Sequence, residues 1–187
     1  MKYYLIGSKL LGLNNCHDID VMTISNEYEY KREKKDNMEI FHRSEDNLLK
    51  FMRFQEDVFR YSSLLLSNYQ YDQNIIGQSF PIKYNILDYK KELIDTLETI
   101  INYKLENFNP RITCNEKCCS KVIYHIAYNI FILQNNDPII NKKQKEIIQK
   151  IHDYEMPIEY LEELKQIFNE IKKEVANNEK NNPKTSN

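Results

Sequence analysis

"YYLIGSKLLGLNNCHDIDVMTIS", residues 3–25, carries the densest chemistry in the chain. The protein has only three glycines; two of them, Gly7 and Gly12, fall here, ahead of an Asp-x-Asp set in apolar residues. Lys2 to Ile6 and Asp18 to Ile24 read as two short strands, apolar runs ended by Gly-Ser and Asn-Asn punctuation. Aspartates one residue apart on a strand project onto the same face, so Asp18 and Asp20 stand close enough to share a divalent ion. Their repulsion calls for a compensating cation, and Mg2+ takes carboxylate oxygen while keeping positions for phosphate. Ile19 and Val21 then point the other way, into a core, and the strand is apolar behind and acidic in front. Gly7 permits a backbone conformation closed to other residues and lets a ligand approach. Ser8 offers a hydroxyl and an N–H to a phosphate oxygen. Lys9, Leu10 and Leu11 favour a following helix, whose N-terminus, aimed at the carboxylates, would suit a polyphosphate.

Beyond this stretch, "NEYEYKREKKDN" (26–37) is charged with no apolar face and reads as a solvated turn or the ends of a hairpin. "MEIFH" (38–42) reads as a third strand, with Glu39 and Phe41 on one face and Met38, Ile40 and His42 on the other. Ser44 caps a predicted helix whose apolar spacing runs on toward Leu66. Residues 68–86 read mostly as loop, and Leu93, Ile94, Leu97, Ile100, Ile101 and Leu105 restore a helical stripe. The last third is helical: Val122, Ile126, Ile130 and Leu133; then Ile147, Ile148 and Ile151; then Ile158, Leu161, Leu164, Phe168, Ile171 and Val175. Pro138 and Pro157 mark the breaks. The expected organisation is α+β: a strand-rich core over 1–88, a helical region over 89–176, and a disordered tail over 177–187.

Composition narrows the function classes. With 187 residues the chain suits one substantial domain, and 41% hydrophobic against 29% charged residues is globular. A net charge of −2 gives no overall pull toward nucleic acid, so a generic DNA-binding coat is disfavoured. No run approaches the roughly 20 apolar residues of a membrane span, and Ser8 and Lys9 break the early apolar run, so no signal peptide is read. Four cysteines fit a reducing compartment, and the expected location is cytoplasmic. Cys114, Cys118 and His125 tempt toward zinc, but CxxC pairs are missing and buried thiols are the better reading.

The arrangement Gly7-Ser8, three residues, Gly12, five residues, Asp18-Ile19-Asp20 resembles the nucleotidyltransferase superfamily that includes DNA polymerase β. More narrowly, "GSKLLGLNNCHDIDVMTI" is similar to the predicted nucleotidyltransferases of bacteria and their phages, with His17 where that group usually has Ser. The resemblance implies a small mixed sheet flanked by helices, and transfer of an NMP group from an NTP to an acceptor hydroxyl with release of pyrophosphate. It implies two Mg2+ ions, with Mn2+ as an alternative, held by Asp18, Asp20 and a third carboxylate on a neighbouring strand. Glu39 is the candidate for that third ligand, with Glu33 and Asp36 as alternatives if the strand starts earlier. Gly7, Ser8 and Lys9 would hold the β- and γ-phosphates. The acceptor stays open between a protein hydroxyl, an RNA end and a small molecule.

A second reading keeps the fold without turnover, as an inactive module that binds nucleotide or a partner in the manner of an antitoxin or a phage counter-defence protein. His42, Arg43 and Arg53 could reach phosphates, although surface positions suit them better. His125, between Tyr124 and Tyr128, either lines a cleft or covers the helical bundle, and the bundle is the simpler assignment.

Overall fold

Gly7, Gly12 and a hairpin turn at Asp36 punctuate the first 43 residues into a four-stranded sheet. The structure is a computed structural model that describes residues 2–25, 30–44, 59–60, 62–63, 86–101, 116–153 and 159–181. Strand β1 (Lys2–Ile6) leads into a one-turn helix α1 (Gly7–Leu10), followed by β2 (Ile19–Ile24), β3 (Tyr30–Lys35) and β4 (Met38–Arg43). Among the described residues, longer helices follow at α2 (Ile86–Ile100), α3 (Glu116–Asn135), α4 (Lys142–His152) and α5 (Glu159–Asn181). The class is α+β with a small mixed sheet, as the sequence leads one to expect.

The strand order is β1-β2-β4-β3. β1 runs antiparallel to β2, β2 parallel to β4, and β3 antiparallel to β4. A parallel neighbour needs a crossover, and here the edge strand β3 with its tight turn supplies the return. Residues 30–35 therefore form a full strand where the sequence reads as turn or hairpin ends. Asp36, at φ 55°, makes the turn that pairs Lys35 with Met38. Five of the six β3 residues are Lys, Arg or Glu at the far edge, the composition that keeps an open strand from pairing with another chain.

The core lies between one sheet face and the helices. Tyr4, Ile6, Met22 and Phe41 share that face and join Leu93, Leu97, Ile123, Ile126, Ile130, Ile148, Ile151, Leu164 and Phe168 in one cluster. The helical stripes of the last third fall where the sequence places them, save Ile158, which lies outside the described residues. Asn141 caps α4 through a reciprocal pair with Gln144: its side chain accepts from the Gln144 N–H, and the Gln144 side chain accepts from its own. Helix α5 continues through Asn181, into the stretch read as a tail; residues 182–187, most of the helix expected after Ser44, Arg53, Cys114 and nearly all of the 68–86 loop lie outside the described residues. Among the described residues no helix is long and apolar enough to cross a membrane.

Candidate functional site

Gly7 sits where β1 gives way to α1 at φ +79°, a backbone conformation that L side chains rarely adopt. A Cβ built there would stand 2.5 Å from Asp20 Oδ2. Glycine is thus required twice, for its dihedral and for the closeness of a carboxylate. The approaching group is a side chain of the protein itself. The Gly7 N–H donates to Ser63 Oγ at 3.1 Å, and the Ser63 hydroxyl donates to the Arg60 carbonyl at 2.9 Å. Gly12, at φ +64°, closes α1: its N–H reaches the Lys9 carbonyl at 3.0 Å and that of Leu13 the Ser8 carbonyl at 3.2 Å.

Register across three strands assembles the acidic part. Asp20 pairs with Ile6 on β1 and with Glu39 on β4, so Ile6, Asp20 and Glu39 fall in a row across the sheet, with Gly7 directly after Ile6. Asp18 lies just before β2 and is exposed, as is Lys9; Ser8 is half-buried on α1. The alternatives to Glu39 fall away by register. Glu33 pairs with Ile40 on the opposite face, where it meets Lys31 and His42, and Asp36 is in the turn.

One expectation about this strand is reversed. Asp20 shares its face with Met22 and, across β4, with Phe41, both in the main core, whereas Ile19 and Val21 face away from that cluster. The acidic end of β2 is therefore tucked beneath the helices. Burial raises the Asp20 pKa above its ordinary 3.8; Arg60 and Lys121 oppose the rise, while Glu39 and Asp18 reinforce it. Glu39 turns its carboxylate to Arg32 on β3 in an ion pair. Among the described residues, no three His, Cys, Asp or Glu side chains are gathered into a group that would hold a metal ion. The residue types and their register suit a divalent cation, and the positions of the carboxylates do not enclose one.

The helical side brings groups that the sequence alone did not mark. Residues 59–60 and 62–63 are helical and bridge sheet to bundle. The Arg60 guanidinium lies 4.1 Å from the Phe41 ring centroid, and Phe59 stacks on His125 at 4.0 Å with 15° between planes. Ser62 bonds to Asn129 on α3. His125 is 2% exposed, and its Nδ1 has no hydrogen-bond partner among the described residues; the Ser120 hydroxyl, 1% exposed, also has none there. Burial holds the His125 pKa well below its ordinary 6.5, helped by the positive charges of Lys121, Arg60 and His152.

The chain matches no protein-family model, no curated protein and no solved structure.

His42 and Arg43 are buried on β4 rather than at the surface. Thr23 Oγ1 and His42 Nδ1 are 2.7 Å apart on the far sheet face. His125 belongs to the bundle, as the simpler assignment has it. Arg60, Ser63 and Lys121 escaped the sequence reading because their relevance depends on tertiary approach to Gly7 and Asp20. The one local signal was the i, i+4 spacing of Lys121 and His125 on a helix that carries apolar residues on its neighbouring positions.

The loop that carries Asp18 is itself docked. Gln149 Oε1 on α4 accepts from the Asn14 N–H at 2.8 Å, and Asn15 Nδ2 reaches Asp153 Oδ1 at 3.4 Å. Asn15 takes φ 58°, which Asn tolerates better than most side chains.

Proposed function

We propose that this protein is a metal-dependent nucleotidyltransferase that moves an NMP group from an NTP to an acceptor hydroxyl on a protein, an RNA end or a small molecule. The single observation that supports the reading most is the strand register that sets Asp20 beside Glu39 and against Gly7. The resemblance in residues 7–24 supplies the reaction class. The acceptor oxygen bonds to the α-phosphorus, the bond from that phosphorus to the bridging oxygen breaks, and pyrophosphate leaves. Divalent ions, when bound, polarise the entering and leaving oxygens. Asp20, with Asp18 and Glu39, would hold them. Gly7 keeps the backbone close to Asp20, Ser63 fixes Gly7 through its N–H, and Ser8 and Lys9 flank the phosphates.

The experiment is titration of each of the four NTPs into the protein with Mg2+, repeated on Asp18→Asn/Asp20→Asn. Metal-dependent binding that disappears in the double variant supports the reading. Absence of binding by the folded wild type overturns it.

A second reading has its own observation. The Glu39–Arg32 ion pair, together with the lack of a three-donor group among the described residues, favours an inactive module of the same fold that holds nucleotide or a partner without turnover. Under that reading Asp18→Ala/Asp20→Ala leaves partner binding intact, and the wild type releases no pyrophosphate with any acceptor.

A further inference from the structure

Asp20 and Glu39 are fixed by strand register, but Asp18 lies one residue before β2, exposed, and takes no part in that register. Its place is set by the chain on either side. Toward β2, the Ile19 N–H donates to the Asn37 carbonyl at 2.8 Å, which ties the loop to the turn before β4. Toward the N-terminus, the tie is to α4. Gln149 uses both ends of its amide: Oε1 accepts from the Asn14 N–H at 2.8 Å, and Nε2 donates to Asp153 Oδ2 at 2.7 Å. The other oxygen of Asp153 accepts from Asn15 Nδ2 at 3.4 Å. Farther back on α4, Lys145 Nζ stands 2.9 Å from where a Cβ on Gly12 would lie. Positions 145, 149 and 153 recur every four residues, so a single stripe of α4 receives residues 12–15. Asp153 has no local reason to be there. It caps the C-terminus of α4, the negative end of the helix, where a carboxylate is unfavourable. Its contacts with Gln149 and Asn15 offset that.

From these contacts we infer that Gln149 and Asp153 are positioning residues for Asp18. The docked stripe of α4 holds the 12–18 loop where Asp18 can share a divalent cation with Asp20. The need for that cation rests on the nucleotidyltransferase reading, and the dock rests on the hydrogen bonds alone. Coupling of this kind is reciprocal: if docking raises the affinity for the cation, the bound cation tightens the dock by the same factor. The helical half thereby governs the carboxylates from a distance, and anything that shifts α4 changes how firmly they hold a metal.

Cys16 reports the dock without any ligand. Its thiol is half-buried against the core and donates to the Leu13 carbonyl at 3.2 Å. Alkylation by iodoacetamide, followed on the Cys16 peptide by mass spectrometry, therefore accelerates when the loop leaves α4. The second readout is Mn2+ alone, titrated into the full chain and followed by electron paramagnetic resonance. Gln149→Ala is expected to speed Cys16 alkylation about tenfold and to weaken Mn2+ binding about threefold to tenfold. Gln149→Glu keeps an acceptor for Asn14 but sets two carboxylates together, and should act alike. Gln149→Glu/Asp153→Asn reverses donor and acceptor across the pair, leaves Asn14 and Asn15 their acceptors, and should restore both readouts. Circular dichroism is expected to show all three variants folded. Mn2+ should slow Cys16 alkylation in the wild type and not in Asp18→Asn. Unchanged alkylation in Gln149→Ala, faster alkylation with unchanged Mn2+ affinity, or no recovery in the double exchange overturns the inference even if Mg2+–NTP binding is intact. Absence of Mn2+ binding by the wild type overturns it too. Mn2+ binding that follows the dock, in a protein that binds no NTP, upholds it and removes the nucleotidyltransferase reading.

Discussion

Gly7 joins local conformation to chemistry in one residue. Gly7→Ala places a side chain at φ +79° and drives a Cβ to 2.5 Å from Asp20 Oδ2. The dihedral alone costs about 1–2 kcal/mol, and the contact forces Asp20 to move. Urea unfolding should show a loss of about 1–3 kcal/mol, and the folded fraction should lose Mg2+–NTP binding. The sequence marks Gly7 as a place of close approach, yet it cannot say that the approaching group is Asp20, because that contact crosses a strand pair. His125 gives a pH signature of definite sign. Its folded pKa lies well below 6.5, so its contribution to stability is fully present above pH 6.5 and is lost as pH falls through 6.5 toward the folded value. In that window it supplies a slope of about 1.4 kcal/mol per pH unit. His125→Leu should flatten that part of the stability profile, read by urea midpoints at successive pH values.

At the scale of elements, apolar periodicity is what makes an element legible. The stripes through Ile126 and Ile130, Ile148 and Ile151, and Leu164 and Phe168 each bury against the same cluster, so their helices stand out in the sequence. β3 does not, because Lys31, Arg32, Glu33, Lys34 and Lys35 leave no apolar alternation to read, and its partner β4 is the only thing that makes it a strand. The direction of the acidic face was misread for a related reason: β2 is apolar on both sides of Asp20, and sequence alone does not say which side the helices cover. Caps are more local and easier to see. Asn141→Ala removes the acceptor for the Gln144 N–H and should cost about 1 kcal/mol, measurable as a lower thermal midpoint with the sheet unaffected.

For the molecule as a whole, the α+β division was visible because strands and helices occupy separate halves of the chain. The acidic row was visible in part: Glu39 stands out in the sequence as an acidic residue of the next strand, and the parallel register sets it, the second residue of β4, opposite Asp20. The cations were not, since Arg60 and Lys121 come to Asp20 only after the bundle has packed on the sheet. That packing also sets when the site can exist. Asn14 is 135 residues from Gln149, the side chain that holds its N–H. At ribosomal speeds of 5–20 residues per second, that interval is roughly 7–27 s of synthesis. During it the sheet can form while the Asp18 loop has no α4 to rest on. A nascent chain that stops short of α4 would thus carry the motif residues without their final arrangement, and the Asp18 loop would dock only once Gln149 has been made.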